Sequence, residues 1–420
     1  MNRSLNSGAD IDPDSAIVAP VPRISIHAFC ETTAIAGALE ASAQDRRMDK
    51  AQLKVEMGGA AFAVETFRGA PTPNLIVLES MAGDGQKLLG MLDDLAESCD
   101  PGTKVIVIGH VNDVLLYREL IRRGVSDYLI APLDAVGFIR GVSELYHSPS
   151  SEPLGRTIAV IGTKGGVGAS TVAHNIAWTI GAKLGTSTVI ADLDLGFGTA
   201  GLDFNQDPPQ GIAEAVFSPE RLDANFLDRL LSKCAETLHM LAAPATLDRI
   251  YDLSETSFDS TIELLRASTP CIVLDVPHVW TGWARRTLIG ADDILIVAAP
   301  DLANLRNTKN LIDLLRGSRP NDSRPQYCLN MVGVPKRPEI KPADFAKALE
   351  FDPVASIPFE PQVFGTAANN GQMIAEVSAT HRAAETFRAL AQSLTGRAEA
   401  KRARTSILTP LLEKLRRKQA

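Results

Sequence analysis

Short apolar, β-branched runs recur along this chain, and the intervals between them carry helical spacing. In the first third the runs fall at residues 24–28, 74–78 (NLIVL), 104–108 (KVIVI) and 127–130. Helical patterns fill 33–43, 86–98, 113–123 and 135–146. A second series follows a Pro/Ser-rich stretch, with runs at 158–161, 188–192, 238–242, 271–276, 294–298, 327–331 and 354–357. Continuous apolar strands separated by helices call for mostly parallel sheets covered on both faces, so the chain is read as α/β throughout. The pattern divides it into a polar, disordered lead-in (1–22), a first domain (23–146), a linker (147–155), a second domain (156–394) and a tail (395–420).

One stretch carries explicit chemistry. Residues 157–175 read TIAVIGTKGGVGASTVAHN: a buried strand, a glycine loop, then a helix. Glycines at 165, 166 and 168 let backbone N–H groups turn inward, and the following helix adds its free N–H groups and positive dipole end. A phosphate chain suits such a cradle, which spans Thr163, Lys164, Gly165, Gly166, Val167, Gly168, Ala169, Ser170 and Thr171. Ser170 stands where a P-loop places the hydroxyl that binds Mg2+. The usual P-loop lysine is replaced by Ala169, and Lys164 stands ahead of the glycine pair instead. Asp275 ends an apolar strand, where it can complete the Mg2+ shell or simply cap a turn. Asp192 and Asp194 follow the strand at 188–192, and Asn330 lies near the end of the one at 327–331.

Composition narrows the class. With 420 residues the chain has room for about two or three domains, and 45% hydrophobic residues is ordinary for a globular protein. No apolar run approaches the roughly 20 residues of a membrane span, and the N-terminus has no signal-peptide core, which reads as cytoplasmic. Five scattered cysteines, with no C-x-x-C, argue for reduced thiols and against an iron–sulfur site. A net charge of -8 does not favour a nucleic-acid partner.

The first domain resembles a response-regulator receiver. PNLIVLES (73–80) matches the strand that ends in the phospho-accepting Asp, and GVSDYLIAPLD (124–134) matches the closing turn. Glu79 replaces that Asp, Ala131 replaces the lysine, and Ala28-Phe29-Cys30 stands where an acidic pair belongs. The resemblance therefore implies a receiver-like (flavodoxin-like) sheet without phosphotransfer, used for protein contacts.

The motif K-G-G-V-G-x-[ST]-T at 164–171 resembles the deviant Walker A branch of P-loop ATPases, the ParA/MinD family. That resemblance implies ATP and Mg2+ as ligands and a homodimer in which Lys164 reaches the partner's nucleotide. Asp194 would orient the attacking water, Asp192 would lie near the metal, and Asn330 would bond adenine. With Ala169 in the loop, turnover should be slow or absent. The stretch IPFEPQVFGTAANNGQMI (357–374), together with KGGVGASTVAHN, is similar to the TadZ/CpaE proteins of Tad (Flp) pilus assembly. They imply a nucleotide-dependent dimer at the cytoplasmic face of the inner membrane, at a pole, recruiting the pilus secretion ATPase and platform. An active ParA/MinD-like positioning ATPase and a nucleotide-free scaffold are the alternatives. The tail spaces Ile407, Leu408, Leu411, Leu412 and Leu415 along one side of a helix with basic flanks, which suits a membrane surface or a partner helix.

Overall fold

A computed structural model describes residues 18–81, 85–146, 154–247 and 250–396, and the side chains of all but 85–87 among them. The expected basic tail, most of the linker and most of the lead-in lie outside the described residues. Two compact units emerge. One takes the described residues up to Leu154 with Leu314–Arg324, and the other Gly155–Asp313 and the described residues from Pro325 onward.

The first unit is built on β1 (Ser25–Cys30), β2 (Gln52–Met57), β3 (Leu75–Ser80), β4 (Lys104–Gly109) and β5 (Asp127–Ile130). The strands are all parallel in the order β2-β1-β3-β4-β5, the flavodoxin-like arrangement. All six residues of β3 are buried, as its apolar run requires of a central strand. Separate apolar clusters hold the sheet: one gathers Ile26, Leu75, Ile106 and Phe138, the other Phe29, Ile76, Leu78 and Leu120. Strand β2 was not expected, because QLKVEM has no apolar run; it is an edge strand with three exposed positions. Order also begins ahead of residue 23: Val21 is buried and its N–H donates to Arg47 O at 2.8 Å. Within this unit Asp322 accepts from Arg46 at 2.9 Å, from Arg319 at 3.0 Å and from Arg47.

The second unit has β6 (Arg156–Gly162), β7 (Thr188–Asp192), β8 (Ser232–Ala235), β9 (Leu238–Leu241), β10 (Cys271–Val276), β11 (Asp293–Ala298), β12 (Gln326–Val332) and β13 (Ala355–Pro358). Their order is β13-β12-β11-β6-β10-β7-β9-β8, parallel except for the β8–β9 hairpin. Strand β8 (SKCA) is half-buried at an edge and gives no apolar signal, which is why the sequence reading passes over it. The most apolar strands, β6, β10 and β11, lie side by side, so the glycine loop leaves from the middle of the sheet. The helices Ala169–Trp178 and Arg382–Leu394 share one core, through Val172, Ile176, Phe387 and Leu390.

Candidate functional site

The glycine loop runs from the end of β6 to the helix Ala169–Trp178. Gly166 (φ 78°) and Gly168 (φ 81°) are left-handed, a conformation L side chains resist. At Gly168 a Cβ would also stand 2.6 Å from Asn330 Nδ2. The N–H groups of Gly165, Gly166, Gly168, Ala169 and Ser170 make no hydrogen bond among the described residues. Among the described residues, nothing beyond the chain neighbours stands within 4 Å of a Cβ placed on Gly165 or Gly166. Unpartnered donors beside open space fit a phosphate chain.

Thr163 serves the scaffold. It is buried, its N–H donates to Val297 O at 2.9 Å, and its carbonyl accepts from Asn307 Nδ2 at 2.8 Å. Its hydroxyl donates to Asn304 Oδ1. The part of the loop open to solvent begins at Lys164, which is exposed. Burial pushes the nearby Asp301 carboxyl up, but the Asn304 N–H and amide and the Lys164 ammonium hold it below its ordinary value. Val167 turns its side chain into the core, and its carbonyl accepts from Asn330 Nδ2 at 2.8 Å. Asn330 thus braces the loop, whatever else its carboxamide does. It lines a cleft of about 320 Å³ together with Gly168, Thr171, Met331, Phe359 and Phe364, a volume at the small end of ligand sites, which run ~300–1,000 Å³. Asn175 ties the helix to the cleft's far wall: Oδ1 accepts from Ile374 N at 2.9 Å and Nδ2 donates to Thr171 O at 2.8 Å.

Strands β7 and β10 are neighbours in register, which sets Asp192 directly beside Asp275. Both carboxylates are buried. Asp192 accepts from the N–H groups of Asp194 and Ala200, each at 3.1 Å. Burial, then repulsion from Asp275, still raises its carboxyl to about 7. Asp194 lies apart from this pair. Its Oδ1 accepts from Phe197 N at 3.0 Å, capping its own turn.

His174 joins the carboxylates, and the sequence reading passed over it. The signal was available: Ser170 and His174 are four apart, on one helix face. The ring is wholly buried, with Nδ1 2.7 Å from Asp203 Oδ2 and Nε2 3.3 Å from Asp275 Oδ2. That second contact lacks hydrogen-bond geometry, so Nε2 is a buried polar atom without a hydrogen-bond partner among the described residues. Burial pushes the imidazole down, but Asp203 and Asp275 outweigh it and lift it to about 10. Two carboxylates and a ring nitrogen, all within 4.8 Å of one another, are a donor set that fits a divalent cation.

In the first unit, the place of a receiver's phospho-acceptor is filled from within. Glu79 is fully buried, and its Oε2 accepts from the N–H groups of Glu31 and Thr32, each at 2.8 Å. Its Oε1 accepts from the Thr32 hydroxyl at 2.6 Å and lies 2.9 Å from His110 Nε2. Burial pushes this carboxyl up, but the Thr32, His110 and Glu31 hydrogen bonds prevail and hold it below the usual range.

A central parallel strand feeding a glycine loop and helix, with a strand-end carboxylate on the adjacent strand, defines a P-loop fold of the ParA/MinD type. No protein-family model matches the chain. MinD from Synechocystis is 28% identical over 163 residues, 39% of this chain; the chain spans only 60% of that relative's length. MinD from Pyrococcus horikoshii, solved with Mg-ADP, is 19% identical, covers 57% of this chain and 96% of its own, and has a TM-score of 0.51; at that identity it shows the fold alone. The pilus assembly protein CpaE from Caulobacter crescentus is 49% identical over 31% of this chain and 98% of the solved one, with a TM-score of 0.30. On that sequence identity, the chain belongs to the CpaE family of pilus assembly proteins.

Proposed function

We propose that the protein is a nucleotide-dependent switch with a ParA/MinD-like role in Tad pilus assembly. ATP with a divalent cation occupies the glycine loop, two copies pair across it, and the pair recruits the pilus secretion ATPase and inner-membrane platform at the cytoplasmic face. The observation that carries this reading is the loop itself, with its unpartnered N–H groups beside open space and a cleft next to its helix. The Mg-ADP held by the P. horikoshii relative supports the choice of ligand. Lys164 contributes charge to the phosphates, its own or its partner's. Ser170 is the loop's cation-binding hydroxyl, and Asp192 and Asp275 complete the cation's shell. The cation's chemistry is charge neutralisation at the phosphates.

Ala169 removes a charge-assisted contact of about 1.5–3 kcal/mol, which weakens binding about ten- to a hundredfold. Hydrolysis loses more, because the same charge would stabilise the transition state. Light scattering on the full chain tests the switch: Mg-ATP should double the mass of the wild type and leave Lys164→Ala monomeric. An unaffected dimer in that variant removes the role of Lys164. Phosphate release that rises on adding a partner would favour the active positioning ATPase instead.

A further inference from the structure

The trio His174, Asp192 and Asp275 holds more than an oxygen site for Mg2+. We infer that it is a binding site for a first-row transition-metal dication, with His174 Nε2 as the discriminating ligand. The inference deepens the nucleotide-site reading by naming its cation, yet it needs no nucleotide in place.

Four observations carry it. His174 Nε2 is buried, lacks a hydrogen-bond partner and faces the two carboxylates. It stands 3.3 Å from Asp275 Oδ2; donors each ~2.0–2.2 Å from one ion at tetrahedral angles lie about 3.3–3.6 Å apart. The other ring nitrogen faces Asp203 at 2.7 Å, the carboxylate support that metal-bound imidazoles have. The strand register fixes Asp192 beside Asp275, so both carboxylates are delivered by rigid backbone. Mg2+ takes oxygen donors and keeps its waters, whereas imidazole suits iron, nickel, copper and zinc, and affinity for such donors rises along the first row from manganese through cobalt to copper.

The experiment uses the full chain freed of nucleotide, with Co2+ as probe, followed by calorimetry and ligand-field absorption. Co2+ should bind at least about tenfold more tightly to the wild type than to His174→Gln, and excess Mg2+ should not displace it. Asp203→Asn, which keeps the ring, should lose about ten- to a hundredfold in affinity. Bound Mn2+ should show nitrogen hyperfine coupling in wild type and none in His174→Gln. Should that variant fail to fold, as a thermal melt would reveal, Asp203→Asn and the hyperfine signal carry the test. Equal Co2+ affinity in wild type and Asp203→Asn, displacement by equimolar Mg2+, or an all-oxygen Mn2+ spectrum each overturn the inference. Because no nucleotide is present, such a failure leaves the ATP reading standing, and a failure to bind ATP leaves this one standing.

Discussion

At Gly168 two constraints coincide: a left-handed backbone, and a neighbour that a Cβ would strike 2.6 Å away. The neighbour is the Asn330 amide that braces the loop, so it cannot withdraw without releasing the Val167 carbonyl. Gly168→Ala should cost about 1–3 kcal/mol in strain and weaken nucleotide binding at least tenfold, read by urea titration and calorimetry side by side. Wild-type behaviour in both would mean that the loop does not hold this shape. Glu79 makes a prediction in pH. Its folded-state carboxyl sits below the ordinary 4.5 of a free glutamate. Its contribution to stability is therefore complete above that value and is lost as pH falls through the lowered one. Urea midpoints of the wild type should drop on acidification from about pH 6 to pH 3, and Glu79→Gln should flatten that slope. An unchanged slope would place the acid sensitivity elsewhere.

Among the elements, the helix Ala169–Trp178 does the most positioning, since loop, cleft wall and carboxylate trio all hang from it. Asn175→Ala would leave the buried Ile374 N–H and the Thr171 carbonyl without that partner, at a cost of about 1–3 kcal/mol. A stability loss well under that range would show that the tie is incidental. The same helix shows what the chain's pattern discloses and what it hides. Strand, loop and helix were legible because burial on both faces demands an unbroken apolar run and the loop's φ values demand glycine. The α/β class and parallel sheets follow from that same pattern. Strands β2 and β8 were not legible: half-buried edge strands need no such run. His174 escaped notice because its partners, Asp203 and Asp275, are distant in sequence and meet only across the fold. Thr163 read as a ligand contact by position alone; only the structure shows its groups committed to Val297, Asn304 and Asn307.

For the whole molecule, the account rests on one event: ATP entering the glycine loop despite Ala169. The net charge of -8 does not aid an anion's approach, so affinity has to come from the local N–H groups, Lys164 and the cation. Among the described residues no helix is long and apolar enough to cross a membrane. The proposed attachment at the inner membrane is tested at the C-terminal tail: deleting residues 397–420 should reduce sedimentation with anionic vesicles if the tail is the contact. The most direct measurement is calorimetric titration of the full chain with Mg-ATP. The account predicts a saturable heat at about one site per chain, with affinity lowered at least tenfold in Gly168→Ala and weaker binding retained in Lys164→Ala. No heat from the folded wild type at millimolar nucleotide would contradict it.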